Sequence, residues 1–472
     1  MSHHTADTMH RLAKLALDSG EATSPEQALE LFSRYRLRIH LGRGWADSLA
    51  GQACFLTTLA TATRAFLGGV EVSGDLDPEL QVPLFEGSVA KRVIAELGGT
   101  VTANPTADVP TLVLGHWIEA QRPQFCVQMQ WDAWRAAIAP ASQGEPLRCA
   151  DDNPLAGVAA AALGVNEAFL HIRGDLPTAG HRTVGLSLWN PFAVDDWRAD
   201  THRGPELKYL PSALWLIGLG HLGQAYAWTL GMLPYPRTAR PHLVLQDFDK
   251  AAESNLSTCL LLTAGDLGKR KVRLVAQRLE AVGFATDMVE RRFGPGHQVL
   301  ADEPTTALFG VDNVAARRDL DSAGFSLVVE AGLGSGFRDF RNVRTHTFPG
   351  SRRATEIWSA SDAAQKAVDL NSVYQKLADE RDDLCGMTQL ASRAVATPFV
   401  GALAATLVLA EVIRPLHGGG VYPTVDLQMK DLRHRSGAAQ LAFAGRMPAF
   451  TATSFPTHRS AVNVRVVQEV TS

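Results

Sequence analysis

One stretch constrains the fold of this chain more than any other: ALWLIGLGHLGQAYAWTLGML, which begins at Ala213. An apolar segment meets a turn built on Gly218, Gly220 and Gly223, and a second apolar segment follows it. That order predicts a buried strand, a tight turn and a helix whose first amides can approach phosphate oxygens, the opening of a doubly wound α/β unit. HLVLQDFD then reads as a second strand ending in acids, and Val272, Leu274, Val275 and Leu279 fall at helical spacing. ALFGVDN and SLVVEAGLGSG read as strands running into polar or glycine turns, as at the carboxyl edge of a parallel sheet. The second half is therefore expected to be α/β, with a Rossmann-like, parallel-rich sheet.

The first half carries no glycine fingerprint, yet it alternates in the same way. ACFLTTLATATRAFL reads as a helix, and GGVEV and PTLVLGHW read as strands. An internal repeat joins the halves: residues 153–174 align without gaps onto 397–418 at an offset of 244, matching Pro154 with Pro398, Gly157 with Gly401 and Glu167 with Glu411. This predicts a duplication, with residues 1–200 as a degenerate copy behind an N-terminal helical segment and 201–472 as the active copy. The proline- and charge-rich stretch near 190–210 is the expected boundary.

Composition removes several classes. Lys and Arg number 45 against 49 Asp and Glu, so no electrostatic footprint for nucleic acid or an anionic membrane is expected. The five cysteines, Cys54, Cys126, Cys149, Cys259 and Cys385, include no C-x-x-C pair and suggest neither a disulfide framework nor a zinc site. The polar N-terminus lacks the apolar core of a secretory signal, which makes a cytoplasmic location the expectation. Pro398 to Ala410 is apolar but shorter than the ~20 residues of a membrane span, and reads as a buried core helix.

The glycine turn alone also fits a nicotinamide- or flavin-dependent dehydrogenase. Asp247 and Asp249, however, lie 29 and 31 residues beyond Gly218, later than the ~20 typical of a ribose-binding acid in NAD enzymes. They are followed by Ser254-Asn255-Leu256, then Gly268 and Lys271, then Asp312-Asn313 and Arg317. These residue types suit the attack of a carboxylate on an α-phosphate, where cations and N–H groups must offset repulsion between anions. Lys271 can supply a point charge and Asp312 can recruit a divalent ion. Each also has a plain structural reading, Lys271 as a solvated helix lysine and Asp312 as half of a DN turn.

The ordered run D-x-D-x-x-x-x-S-N-L, G-x-x-K and D-N-x-x-x-R, with ATPFVGALAA near its end, resembles the family of ubiquitin-activating enzymes and sulfur-carrier adenylyltransferases over about residues 214–415. The resemblance implies binding of ATP with Mg2+ and adenylation of the C-terminal carboxylate of a small β-grasp protein. It implies that Gly218, Gly220, Gly223 and Asp249 line the nucleotide site, that Asp247 holds the ribose hydroxyls and that Asn255 orients the nucleotide. Lys271 would hold the phosphates and Asp312 the magnesium ion. One departure stands out, because the family's N-L-x-R-Q arginine is Thr258 here. Lys269, Arg270 or Arg273 would compensate, or a cation from the other half, or the branch adenylates differently.

SRYRLRIHLGRG resembles the family's R-Y-x-R-Q-I opening segment, from which Arg36 or Arg38, or Arg34, would reach the nucleotide site; a solvated basic face is the alternative. The degenerate first half would then be an inactive adenylation domain paired with the active one. In conjugating members a nucleophilic cysteine precedes the last apolar helix, which points to Cys385 as the thioester cysteine rather than a buried structural thiol. The layout looks similar to the activating enzymes of bacterial ubiquitin-like antiviral operons, related to interferon-induced ubiquitin-like conjugation. The implied partners are a small ubiquitin-like protein and a ubiquitin-conjugating-like enzyme, and a homodimer is compatible with the family. Two other readings stay open: an adenylation-fold scaffold without catalysis, and an NAD(P)-dependent oxidoreductase.

Overall fold

The computed structural model describes residues 5–106, 108–117, 122–142, 147, 151–359, 372–381, 388, 391, 394–438, 445 and 447–453. The first sheet holds β1 (Arg36–Leu41), β2 (Gly69–Gly74), β3 (Thr100–Val101), β4 (Thr111–Leu114), β5 (Cys126–Asp132), β6 (Arg135–Pro140) and β7 (Val184–Ser187) in the order β3-β2-β1-β4-β5-β6-β7. The strands β1 to β5 run parallel, while β6 and β7 are antiparallel additions.

After a short β8 (Tyr209–Pro211), the second sheet holds β9 (Ala213–Ile217), β10 (His242–Gln246), β11 (Ala285–Val289), β12 (Thr306–Phe309), β13 (Leu327–Leu333), β14 (Asn342–Phe348), β15 (Thr424–Gln428) and β16 (Arg435–Gly437). Its order is β11-β10-β9-β12-β13-β14-β15-β16, and its first five strands are again parallel. β8 pairs with β17 (Ala449–Thr451) apart from both sheets. The two sheets thus share one strand order and one set of strand senses, and the second adds β16. In each, the order reverses beside the first strand, which opens a crevice at the carboxyl end of β1 and of β9.

The sequence of β9 explains its central place. Leu214 and Leu216 enter the large core, while Trp215 and Ile217 enter a second cluster on the opposite face. Apolar residues at every position suit a parallel strand covered on both sides. The helices used below are α1 (Arg11–Ser19), α2 (Pro25–Phe32), α3 (Leu49–Ala62), α4 (Pro154–Arg173), α5 (His221–Leu230), α6 (Lys271–Glu280), α7 (Val314–Arg318) and α8 (Pro398–Ile413).

The repeated segments form α4 and α8, which pack on each other; α4 also packs on α3 and α8 on α5. Both repeats start with proline at the first turn, where its missing N–H costs nothing, and Gly174 closes α4 in the left-handed region at φ +68°. Their glutamates share a task. Glu167 accepts hydrogen bonds from Gly180 N and Arg182, and Glu411 from Arg414 and Tyr422 N, so each buried acid anchors the chain that leaves its helix. Across the centre, Trp228 Nε1 of α5 donates to Thr57 Oγ1 of α3 at 2.9 Å, inside a hydrophobic core that draws on both halves. Among the described residues, two helical segments, Pro154–Arg173 and Pro398–His417, are long and apolar enough by composition to span a bilayer, but 89% of the apolar stretch of each is buried inside the protein.

The structure corrects one expectation about the first half. A counterpart of the glycine turn does follow β1, as Gly42, Gly44 and Gly51. Its spacing is disguised, because nine positions separate Gly42 from Gly51 whereas five separate Gly218 from Gly223.

Candidate active site

The turn between β9 and α5 depends on its glycines for different reasons. Gly218 lies in the left-handed region at φ +81°, and a Cβ at Gly223 would fall 1.8 Å from Gly218 O, so only glycine lets α5 pack this closely on the turn. Gly220 is unlike both, since a Cβ there would meet nothing within 4 Å. It stands at the N-cap of α5, and no side chain caps that first turn. The helix therefore presents amides at an open edge, an arrangement suited to phosphate.

Asp247, just past the end of β10, holds this turn in place. One carboxylate oxygen accepts from Leu219 N at 2.6 Å and the other from Asp249 N at 2.7 Å. Burial pushes its carboxyl above the usual carboxylate range, and the positive charge of Lys271 opposes that shift. Lys271 begins α6 with only 6% of its surface exposed, and its Nζ pairs with Asp249 at 3.2 Å. The plain reading of Lys271 as a solvated helix lysine does not hold. The Asp247, Asp249 and Lys271 cluster thus lies beside the glycine turn.

Asn255 belongs to a short 3-10 turn, Glu253–Ser257, where its Oδ1 accepts from Ala252 N at 3.0 Å. Thr258 is buried at the end of that turn. Asp312 is exposed in the loop after β12 and makes no hydrogen bond or ion pair through its side chain among the described residues. Asn313 caps α7, and Arg317 braces the same loop by donating to Val311 O and approaching buried Glu330. These residues fit a nucleoside triphosphate with magnesium: an uncapped helix start for phosphate oxygens, a buried ammonium beside it, and one exposed carboxylate for a largely hydrated hard cation.

The first half closes the equivalent place. Asp152 caps α3, its two oxygens accepting from Leu49 N and Ala50 N at 2.7 Å each, and Ser48 Oγ accepts from Gly51 N. Trp45 fills the turn, fully buried, with its Nε1 donating to Asp75 O. By the repeat offset of 244, the counterpart of Asp152 is Ala396, which has no carboxylate to offer α5. One turn is thus occupied by the protein's own acid and the other is open.

The arginines of the SRYRLR segment lie elsewhere. Arg34 precedes β1 and pairs with Glu30 at the surface, while Arg36 and Arg38 belong to β1 and alternate there with the core-facing Leu37, Ile39 and Leu41. Arg36 pairs with Glu71, and Arg38 donates to Ser73 Oγ at 3.0 Å, so both are committed within the first sheet and are not brought to the open turn. Two other arginines reach the neighbouring Asn255 segment. Arg64, at the end of α3, donates to the carbonyls of Leu256 and Leu262 and braces the Asn255 segment from the other half. Arg11, at the start of α1, lies where that helix meets the same segment, its backbone N–H donating to Ser257 Oγ at 3.3 Å. Burial and then the charge of Arg11 lower His221, the first residue of α5, to about 4. Cys385 lies outside the described residues. Cys259, next to Thr258, is fully buried and its thiol is pushed up by burial, which does not suit a nucleophile.

Comparison with known proteins places the chain. A family model described as the BilD N-terminal domain matches residues 36–188, and one described as the BilD C-terminal domain matches 210–419. The "Bacterial E1-like protein BilD" of Collimonas sp. (strain OK412) is 45% identical over 416 residues, covering 88% of this chain and 90% of that one. Among solved structures, E. coli MccB with MccA-N7isoASN is matched at 12% identity over 67% of this chain and 96% of that one, with a TM-score of 0.35. E. coli tRNA N6-threonylcarbamoyladenosine dehydratase, TcdA, is matched at 14% identity over 44% and 86% of the respective chains, with a TM-score of 0.31. By the extent and identity of its match to the Collimonas protein, the chain belongs to the bacterial E1-like BilD family.

Proposed function

We propose that this chain is an activating enzyme that adenylates the C-terminal carboxylate of a small ubiquitin-like β-grasp protein and then takes it onto Cys385 as a thioester. The observation that carries the reading is the opposite fate of two equivalent turns: Asp152 fills one, while the other stays uncapped beside Lys271, Asp247 and Asp312. An anion site retained on one side and internally neutralised on the other is what a duplicated chain with a single working nucleotide site needs.

In the proposed reaction a carboxylate oxygen attacks the α-phosphorus of ATP, the bond to the β-phosphate oxygen breaks, and pyrophosphate leaves. The amides at the start of α5 and the ammonium of Lys271 offset the charge of the phosphates. A magnesium ion held by Asp312 would neutralise further phosphate charge. Arg11 delivers the cation that Thr258 no longer supplies, reaching the site from the first half. The Cys385 thiolate then attacks the acyl carbon of the adenylate and AMP leaves, which readies the protein for a conjugating-type enzyme.

The test is calorimetric titration of the full chain with Mg-ATP. One site per chain, lost in Lys271→Ala and weakened by a chelator, is the expected result. Two equal sites, or binding of NADPH in place of ATP, would overturn the reading.

A further inference from the structure

We propose that Gln224 is a positioning residue that sets the direction of the Gly220 amide, and hence the turn's affinity for the phosphates of ATP; the inference rests on the nucleotide site proposed above. Gln224 follows the third glycine of the turn and is completely buried. Its Nε2 donates to Leu219 O at 3.2 Å, and its Oε1 accepts from Leu261 N at 3.2 Å. A backbone carbonyl on one side and a backbone N–H on the other leave a single workable amide orientation.

The two bonds tie together three parts of the site. Leu261 lies just after the segment of Asn255 and Thr258, and Leu219 lies inside the glycine turn. The Leu219 peptide units are gripped from both ends, since Leu219 N–H donates to Asp247 at 2.6 Å and Leu219 C=O accepts from Gln224. A trans peptide is planar, with its C=O and N–H pointing in opposite directions. Holding Leu219 O toward Gln224 therefore turns the N–H of Gly220, which shares that plane, the other way. Gly220 is the glycine with open space beside it.

The first half supplies an internal control. Gln52 also follows the third glycine of its turn and is 1% exposed. Its Nε2 donates to Ala46 O at 2.9 Å, and its Oε1 accepts from Gln81 N at 2.7 Å. The same staple thus joins the same two parts of the fold in a turn that Asp152 and Trp45 have filled. Both glutamines contribute to packing, but only Gln224 has an open amide to aim.

The experiment compares Gln224→Met with Gln52→Met in the full chain, reading the unfolding midpoint and the Kd for Mg-ATP. Methionine keeps the volume and removes donor and acceptor together. Both variants are expected to lower the midpoint, while only Gln224→Met weakens Mg-ATP, by roughly tenfold, as one misdirected charge-assisted hydrogen bond implies. Should Gln224→Met fail to fold, Gln224→Glu keeps the acceptor for Leu261 N–H and loses the donor to Leu219 O. It is expected to weaken Mg-ATP similarly, measured against Gln52→Glu. Equal weakening in both halves, or unchanged affinity in the Gln224 variants, overturns the positioning role while leaving the nucleotide site intact. Absence of Mg-ATP binding by the unaltered chain overturns the site itself and this role with it.

Discussion

Gly401 lies against His221, and a Cβ at position 401 would fall 2.3 Å from the imidazole Nε2. The core helix α8 thus meets the glycine turn at a separation that only a hydrogen atom permits. Its repeat partner Gly157 makes the matching approach in the first half, where a Cβ would fall 2.0 Å from Ala50 O at the start of α3. Each repeat glycine seats one core helix on the opening turn of another.

This pairing separates two substitutions that look alike. Gly401→Ala must displace a side chain, and overpacking of that kind costs about 1–3 kcal/mol. Because His221 opens α5, Mg-ATP affinity should fall with it. Gly157→Ala meets a backbone oxygen that cannot rotate away, so its loss of stability should be larger, while nucleotide affinity in the folded fraction stays the same. Urea unfolding and Mg-ATP titration check both, and a greater stability loss for Gly401→Ala would contradict this account.

His221 also predicts a pH dependence. Burial, reinforced by the charge of Arg11 and opposed by a hydrogen bond with the Thr397 backbone, lowers it to about 4. In the folded chain it stays neutral between its ordinary value near 6.5 and about 4, whereas the unfolded chain takes up a proton in that window. The unfolded state then binds more protons, so stability falls on acidification through this range. The contribution is about 3 kcal/mol once the window is crossed. His221→Gln should remove that part of the slope, and a variant curve parallel to the original would assign the loss to other groups.

Much of the second half was legible because its candidate site residues follow strand ends in chain order. Gly218, Asp247 and Asp312 each come after a buried strand, and Lys271 opens the helix after the second. The first-half turn was not legible, since the insertion in GRGWADSLAGQ breaks the glycine spacing. Asp152 could not be read as a cap because it acts across 103 positions of chain, on Leu49. The arginines of SRYRLR misled for a different reason. Their alternation with Leu37 and Ile39 is the period of a strand, and resemblance to a motif outweighed that period.

The proposed relocation of the arginine gives a direct test. Arg36 pairs with Glu71 at the start of β1, with 42% of its side chain exposed, so Arg36→Ala should leave Mg-ATP affinity and stability nearly unchanged. Arg11→Ala should weaken Mg-ATP about tenfold or more, as loss of one phosphate-directed cation implies. Arg11→Lys should recover part of the loss by restoring charge without the planar fork. Mg-ATP titrations of the three variants decide between the two segments, and a loss confined to Arg36→Ala would return the role to β1.

The two proposed chemical steps use different atoms and should fail separately. Asp312 is exposed and in the proposed site bears on phosphate chemistry alone, so Asp312→Ala should reduce ATP–pyrophosphate exchange by on the order of 100-fold or more with little change in unfolding midpoint. Any thioester should vanish with it, because no acyl adenylate forms for the thiolate to attack. Cys385→Ala leaves the phosphate groups untouched, and exchange with a ubiquitin-like protein as substrate should continue near the original rate. What disappears is the adduct that dithiothreitol reverses. A reducible adduct in Cys385→Ala would move the nucleophile to another thiol, and full exchange in Asp312→Ala would remove that carboxylate from the metal role. Because the first outcome concerns sulfur and the second phosphate, each residue can lose its assignment without disturbing the other.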